Sequence, residues 1–120
     1  MAFCGGKLEQ GIDLVLDTIG FDELAQETDI LISGEGATDY QTAYGKAPVG
    51  VCRRGAKYKK PGFIISGTLG RDYDAVYNSG VTSVLSTIVS AMTNEEAIAQ
   101  SETLLRKAAV RLVRTIECMR

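Results

Sequence analysis

Two short apolar runs, Ile30-Leu31-Ile32 and Phe63-Ile64-Ile65, pass without polar alternation straight into glycine-bearing segments. Strands of this kind suit a parallel sheet covered by helices on both faces. The spacing predicts strands over Asp29–Ser33 and Phe63–Ser66, with a third around Ser83-Val84-Leu85. Between them lie helical stretches. Ile12, Val15, Leu16 and Ile19 fall at helical spacing, and Gly20 ends that helix. Phe21-Asp22-Glu23-Leu24 begins a further short turn. Pro48 sits well in the first turn of a helix running to about Tyr58, with Val51, Cys52, Gly55 and Ala56 inward. Lys59-Lys60-Pro61-Gly62 stops it. Asp72 to Tyr77 reads as another short helix. Thr93-Asn94-Glu95-Glu96 matches a capping box and opens the last helix. Its inward set is Ala97, Ile98, Ser101, Leu104, Leu105, Ala108, Ala109, Leu112, Val113 and Ile116. The alternation implies α/β, a three-layer α/β/α arrangement with a mainly parallel sheet of right-handed βαβ units. Residues 1–120 read as a single domain, since 120 residues suffice for one compact unit and not comfortably for two. Sheets usually have about five or six strands. Three are convincing here, so either a further strand is not legible in the sequence or the sheet is completed by chain that is absent.

Gly34-Glu35-Gly36-Ala37-Thr38-Asp39-Tyr40-Gln41-Thr42-Ala43-Tyr44-Gly45-Lys46-Ala47-Pro48 follows the first strand. Open α/β sheets place ligands beyond the carboxyl ends of their strands. A binding or catalytic loop is the reading this crowd of carboxylates, glycines and one lysine favours. It is not a Walker loop, because Ala47 stands where a magnesium-holding Ser or Thr would follow Lys46. The dinucleotide GxGxxG pattern fails as well. Lys46 lies at a helix N-terminus suited to a phosphate or carboxylate; its plainer reading is a solvated lysine beside a turn. Asp39 reads as a general base or magnesium ligand, or as a cap stabilising the loop. Glu35 would position a substrate hydroxyl or pair with Lys46. Gln41 and Thr42 suit a sugar acid or hydroxy acid, or loop capping. Gly34, Gly36 and Gly45, with Gly67 and Thr68 after the second strand, are candidate phosphate-binding positions; a simple strand-end turn is the alternative at Gly67.

Composition narrows the chemistry. There is no histidine, so Ser-His-Asp and Cys-His catalysis and imidazole-held zinc are excluded within this chain. Acid–base work falls to carboxylates, lysine or tyrosine. Cys4, Cys52 and Cys118 are widely spaced and read as reduced, packing thiols. Thirteen basic and fifteen acidic residues give a net charge of −2, no global case for nucleic acid or an anionic membrane. The basic cluster Arg53, Arg54, Lys57, Lys59 and Lys60 reads as a solvated helix face in preference to a nucleic-acid patch. No apolar run approaches membrane-spanning length and the start lacks a signal pattern, so a cytoplasmic location is the default.

The string Gly34-Glu35-Gly36-x-x-Asp39-x-Gln41-Thr42-x-x-Gly45-Lys46-Ala47-Pro48-x-Gly50-Val51 closely resembles the signature loop of bacterial-type glycerate kinases, which phosphorylate D-glycerate with ATP. The likeness extends upstream through Gly11-Ile12-Asp13-Leu14-Val15-Leu16 and Phe21-Asp22. Downstream it continues through Ser66-Gly67-Thr68-Leu69-Gly70 and Met92-Thr93-x-Glu95-Glu96-Ala97. Departures occur at Ala37, usually basic or long in the family, at Tyr40, usually small, and at Ser90-Ala91, where Pro and Gly are common. The resemblance implies the carboxyl-terminal portion of a larger two-domain kinase, with ATP and Mg²⁺ as cofactors. Its partners would be D-glycerate, the nucleotide and the remainder of the kinase chain, with neither nucleic acid nor membrane. It casts Asp39 as base or Mg²⁺ ligand and Lys46 as partner to the transferring phosphate or the glycerate carboxylate. Glu35, Gln41 and Thr42 would orient substrate. The competing readings are a non-catalytic α/β module binding a small anion or a protein, and an inactive fragment of the kinase.

Overall fold

A computed structural model describes residues 11–119, so Cys4 and the first glycines lie outside the described residues. Three strands, β1 (Leu31–Thr38), β2 (Gly62–Leu69) and β3 (Ser83–Ser86), form one parallel sheet in that order. Helices α1 (Gly11–Thr18) and α2 (Phe21–Gln26) precede it, and α3 (Ala47–Ala56) joins β1 to β2. A 3-10 segment over Tyr73–Ser79 joins β2 to β3, and α4 (Asn94–Ala99) and α5 (Ser101–Glu117) close the described chain. Strands laid down in one direction by right-handed crossovers put both connections on the same face. That face holds the core of Val49, Cys52, Ile64, Val76, Val81 and Val84. The opposite face is covered by α5, which buries Ala108 and Leu112 on Phe63 and Ile65. The expected three-layer arrangement is present.

Two boundaries differ from expectation. The stretch Gly34–Thr38 is strand, not loop, because its backbone pairs with β2 from Gly34↔Ile65 through Thr38↔Leu69. Likewise Gly67 and Thr68 belong to β2. Tertiary pairing overrides the poor strand propensity of glycine, and here glycine is required: a Cβ on Gly67 would stand 2.5 Å from the Gly36 carbonyl oxygen. The final helix is the second difference. Thr93 caps it as expected, its Oγ1 accepting from the Glu96 N–H at 3.1 Å. Gln100 then leaves helical geometry (φ −104°, ψ 12°) and divides the element into α4 and α5. Neither Gly nor Pro marks that break. Of the expected inward set, Leu104, Ala108 and Leu112 are buried, whereas Ile98, Leu105 and Val113 are exposed. The apolar stripe is wider than the small sheet it covers. In α3, Cys52 and Gly55 are buried as expected, while Ala56 is exposed and Arg54 takes a buried place.

Arg54 corrects the reading of the basic cluster as solvated. Its guanidinium reaches Asp17 at 2.6 Å, Asp22 at 3.1 Å and Asp13 at 3.5 Å, and donates to the Asp13 carbonyl at 3.1 Å. Arg53 pairs with Asp13 at 3.1 Å. The planar fork of arginine serves several acceptors at once, so two adjacent residues of α3 tie down both N-terminal helices. Tyr58 completes the cluster by donating to Asp22 Oδ2 at 2.8 Å. That bond, then Arg54, outweighs burial and holds the Asp22 carboxyl below its ordinary 3.8. The same bond, aided by burial, raises the Tyr58 hydroxyl above 10.0.

The two shifts act at opposite ends of the pH scale. A depressed Asp22 contributes stability that is present above its unfolded value and lost as pH falls through the folded one. A raised Tyr58 contributes stability that is present below its unfolded value and lost as pH rises through the folded one. Tyr58→Phe is therefore expected to be less stable than the parent by a constant margin between about pH 5 and pH 9. The margin should shrink on both sides in urea titrations across that range. A margin that does not change with pH would show that the pair contributes packing alone.

Candidate active site

The strand ends open into a cavity of about 520 Å³. Gly34, Glu35 and Gly36 of β1 and Ile65, Gly67 and Thr68 of β2 form one side. Thr87 and Ile88, just past β3, form its end. Asn94, Ala97 and Ile98 of α4 and Ser101 and Leu105 of α5 form the other side. The position is the one open parallel sheets reserve for ligands, and the volume lies within the roughly 300–1,000 Å³ of small-molecule sites. Glycine backbones leave the strand side open, and aliphatic side chains make the helix side apolar.

Buried hydroxyls fix this end of the sheet. Thr38 Oγ1 donates to Ser66 Oγ at 3.0 Å, and Ser66 Oγ donates to the Thr68 carbonyl at 2.8 Å. Ser86 Oγ lies 3.3 Å from the Gly67 carbonyl and accepts from the Ile88 N–H at 3.1 Å. Arg111 of α5 donates to the Ser86 carbonyl at 2.9 Å. Every buried side-chain polar atom among the described residues has a partner.

Of the residues singled out from sequence, the cavity gathers Gly34, Glu35, Gly36, Gly67 and Thr68. Asp39, Gln41, Thr42, Gly45 and Lys46 are not among its lining residues. Gln41 and Thr42 lie in a separate 3-10 turn over Tyr40–Tyr44 after β1, with Asp39 at its start, Gly45 at its end and Lys46 just beyond. Asp39 caps that turn: its Oδ1 accepts from the Gln41 N–H at 2.8 Å, and its own N–H donates to Thr42 Oγ1 at 3.1 Å. Thr42 is fully buried in this role. Gly45 closes the turn at φ 96°, a left-handed value that favours glycine. Lys46 follows as an exposed residue whose side chain makes no capping bond to α3. The alternative of a Glu35–Lys46 ion pair is not realised. Glu35 Oε1 instead accepts from the Gly36 N–H at 3.2 Å.

Sequence reasoning assigned Ala97, Ile98, Ser101 and Leu105 to the core and did not single out Thr87 or Ile88. The sequence carries no signal for this, since the helix break after Ala99 is marked by neither Gly nor Pro. The described cysteines take no part in the site. Burial pushes the Cys52 thiol to about 11, so it is a neutral packing group, and Cys118 is exposed near the end of α5. No helix among the described residues is long and apolar enough to cross a membrane.

Fold and site together define an α/β protein with a ligand-sized cleft at the carboxyl ends of a parallel sheet. The glycerate kinase family profile matches residues 1–117. The chain is 40% identical over 109 residues to glycerate kinase of Halalkalibacterium halodurans, covering 91% of this chain and 29% of that protein. It is 37% identical over 97 residues to glycerate 2-kinase of Escherichia coli K12, covering 81% of this chain and 26% of that protein. The crystal structure of a Salmonella typhimurium LT2 protein assigned as glycerate kinase 2 superposes with a TM-score of 0.68 at 32% identity, over 98% of this chain and 29% of that one. This chain belongs to the glycerate kinase family. It spans just under a third of the length of these relatives.

Proposed function

We propose that the chain is part of a cytoplasmic glycerate kinase that transfers the γ-phosphoryl group of ATP to a hydroxyl of D-glycerate. The observation that carries this reading is the glycine-walled cavity at the ends of β1 and β2, with a carboxylate-capped turn next in the chain after β1, in a chain of that family. Phosphoryl transfer needs little covalent chemistry from the protein and depends on positioning and charge neutralisation. Gly34, Gly36, Gly67 and Thr68 give close backbone approach to phosphates at the strand ends, and Gly45 shapes the turn that presents Lys46. Glu35 orients a substrate hydroxyl. Gln41 and Thr42 hold the turn that carries Asp39. Asp39 takes the proton of the attacking hydroxyl, and Lys46 balances the charge of the transferring phosphate or the glycerate carboxylate.

Magnesium takes hard oxygen ligands and commonly uses one or two protein carboxylates with substrate phosphates supplying the rest. Among the described residues no group of three or more Asp, Glu, Cys or His side chains could hold a metal. Asp39, only partly buried, offers one such carboxylate. This donor set fits an ion that arrives with the nucleotide, not one caged by protein. When bound, the ion would neutralise charge on the phosphates.

The test is a chimaera in which residues 11–119 replace the matching third of the Halalkalibacterium halodurans glycerate kinase. ADP release in a coupled assay should depend on D-glycerate, while the 120-residue chain alone should be far slower because the rest of the cleft is missing. A folded chimaera that releases no ADP with D-glycerate would overturn the proposal.

A further inference from the structure

Asp39 is held from two directions. Within its own turn it bonds to Gln41 and Thr42. The second hold comes from the chain just past β2. Gly70 donates its N–H to the Thr38 carbonyl at 2.7 Å, and Tyr40 donates its N–H to the Arg71 carbonyl at 3.0 Å. Both chain neighbours of Asp39 are thus bonded to the dipeptide Gly70-Arg71. That dipeptide is itself set in a turn, with the Tyr73 N–H donating to the Gly70 carbonyl at 3.3 Å and Asp72 at φ 52°. Aspartate tolerates this left-handed value better than most residues.

Gly70 meets Asp39 with bare backbone. A Cβ there would stand 3.1 Å from the Asp39 Cβ and 3.5 Å from the Thr38 carbonyl oxygen. Carbon atoms in contact prefer about 3.5–4.0 Å, so Asp39 would have to give by a few tenths of an ångström. A left-handed backbone is not the reason for the glycine, since the described glycines with positive φ are Gly20, Gly45 and Gly80. What it supplies is close approach. Resting on the kinase reading above, we propose that Gly70 is a positioning residue for phosphoryl transfer, the stop that sets the Asp39 carboxylate against the attacking hydroxyl. Its effect is exerted through Asp39. A reacting group misplaced by about 1 Å can cost about a hundredfold in rate, and a shift of a few tenths costs correspondingly less.

Gly70→Ala in the chimaera should lower kcat about tenfold, leave the KM for ATP and for D-glycerate within about twofold, and keep the melting temperature of the parent, since Gly70 is exposed. The decisive measurement repeats Gly70→Ala in the Asp39→Asn background. Asparagine keeps the same Cβ, so the contact remains and only the carboxylate is gone. There Gly70→Ala should cost nothing further in kcat, a non-additivity that the double-mutant cycle reads. An equal loss in both backgrounds would overturn the inference, because Gly70 would then act on the cleft at large. A collapse in melting temperature would overturn it too, by assigning Gly70 to the fold. A readout without turnover comes from NMR of the 120-residue chain. Gly70→Ala should move the amide signals of Tyr40 and Gln41 and leave that of Leu112 in place; unmoved Tyr40 and Gln41 signals would again overturn it. A parent chimaera without activity would remove the kinase reading, and the amide signals would then decide alone whether Gly70 sets the place of Asp39.

Discussion

Asp39→Asn in the chimaera should lower kcat by roughly a hundredfold or more, the scale of a positioned general base. The substitution separates chemistry from structure unusually well. Asp39 Oδ1 accepts the Gln41 N–H at 2.8 Å, and an asparagine amide oxygen accepts that bond equally, since Asn and Asp are comparable N-caps. The turn should therefore persist and the melting temperature stay close to that of the parent. Asp39→Ala would lose the carboxylate and also the cap, adding a stability loss of about 1 kcal/mol. A kcat for Asp39→Asn equal to that of the parent would reduce Asp39 to the capping role its hydrogen bonds already display.

Arg54→Leu should produce the largest change in stability. It leaves Asp13, Asp17 and Asp22 facing one another without their shared cation. Breaking a fully buried pair costs about 3–5 kcal/mol. The aspartates here are 23–54% exposed, so water screens part of the repulsion, and a loss of about 2–3 kcal/mol is expected in urea unfolding. Arg54→Lys should recover only a fraction, because an ammonium cannot fork to several acceptors. Adding Asp17→Asn to Arg54→Leu should regain part of the loss, a coupling that a double-mutant cycle reads directly. A loss under about 0.5 kcal/mol, the range of ordinary surface changes, would mean that α1 and α2 are held by packing alone.

Much of the architecture was legible because it follows from local pattern. The unbroken Ile64-Ile65 run required cover on both faces, and both faces are covered, by α3 and by α5. Thr93 with Glu96 announced a helix start from a capping interaction three residues long. The glycine-rich segment was correctly placed past a hydrophobic run, yet its conformation was not legible. Gly34–Thr38 becomes strand only because β2 lies alongside to satisfy its backbone. The basic cluster was misread for the same reason. Arg54 looks solvated on its own helix, and its three aspartate partners are 32 to 41 residues away in the chain.

What the sequence determined unaided was the class of fold and the family likeness, both carried by residue order and short-range spacing. Tertiary structure alone decided which of those residues share a space. It set Glu35 and the strand-end glycines against the apolar side of α4 and α5, and it turned Asp39 and Lys46 onto a separate bend. Pairing between strands and packing between layers join residues distant in the chain, and no local periodicity records those contacts.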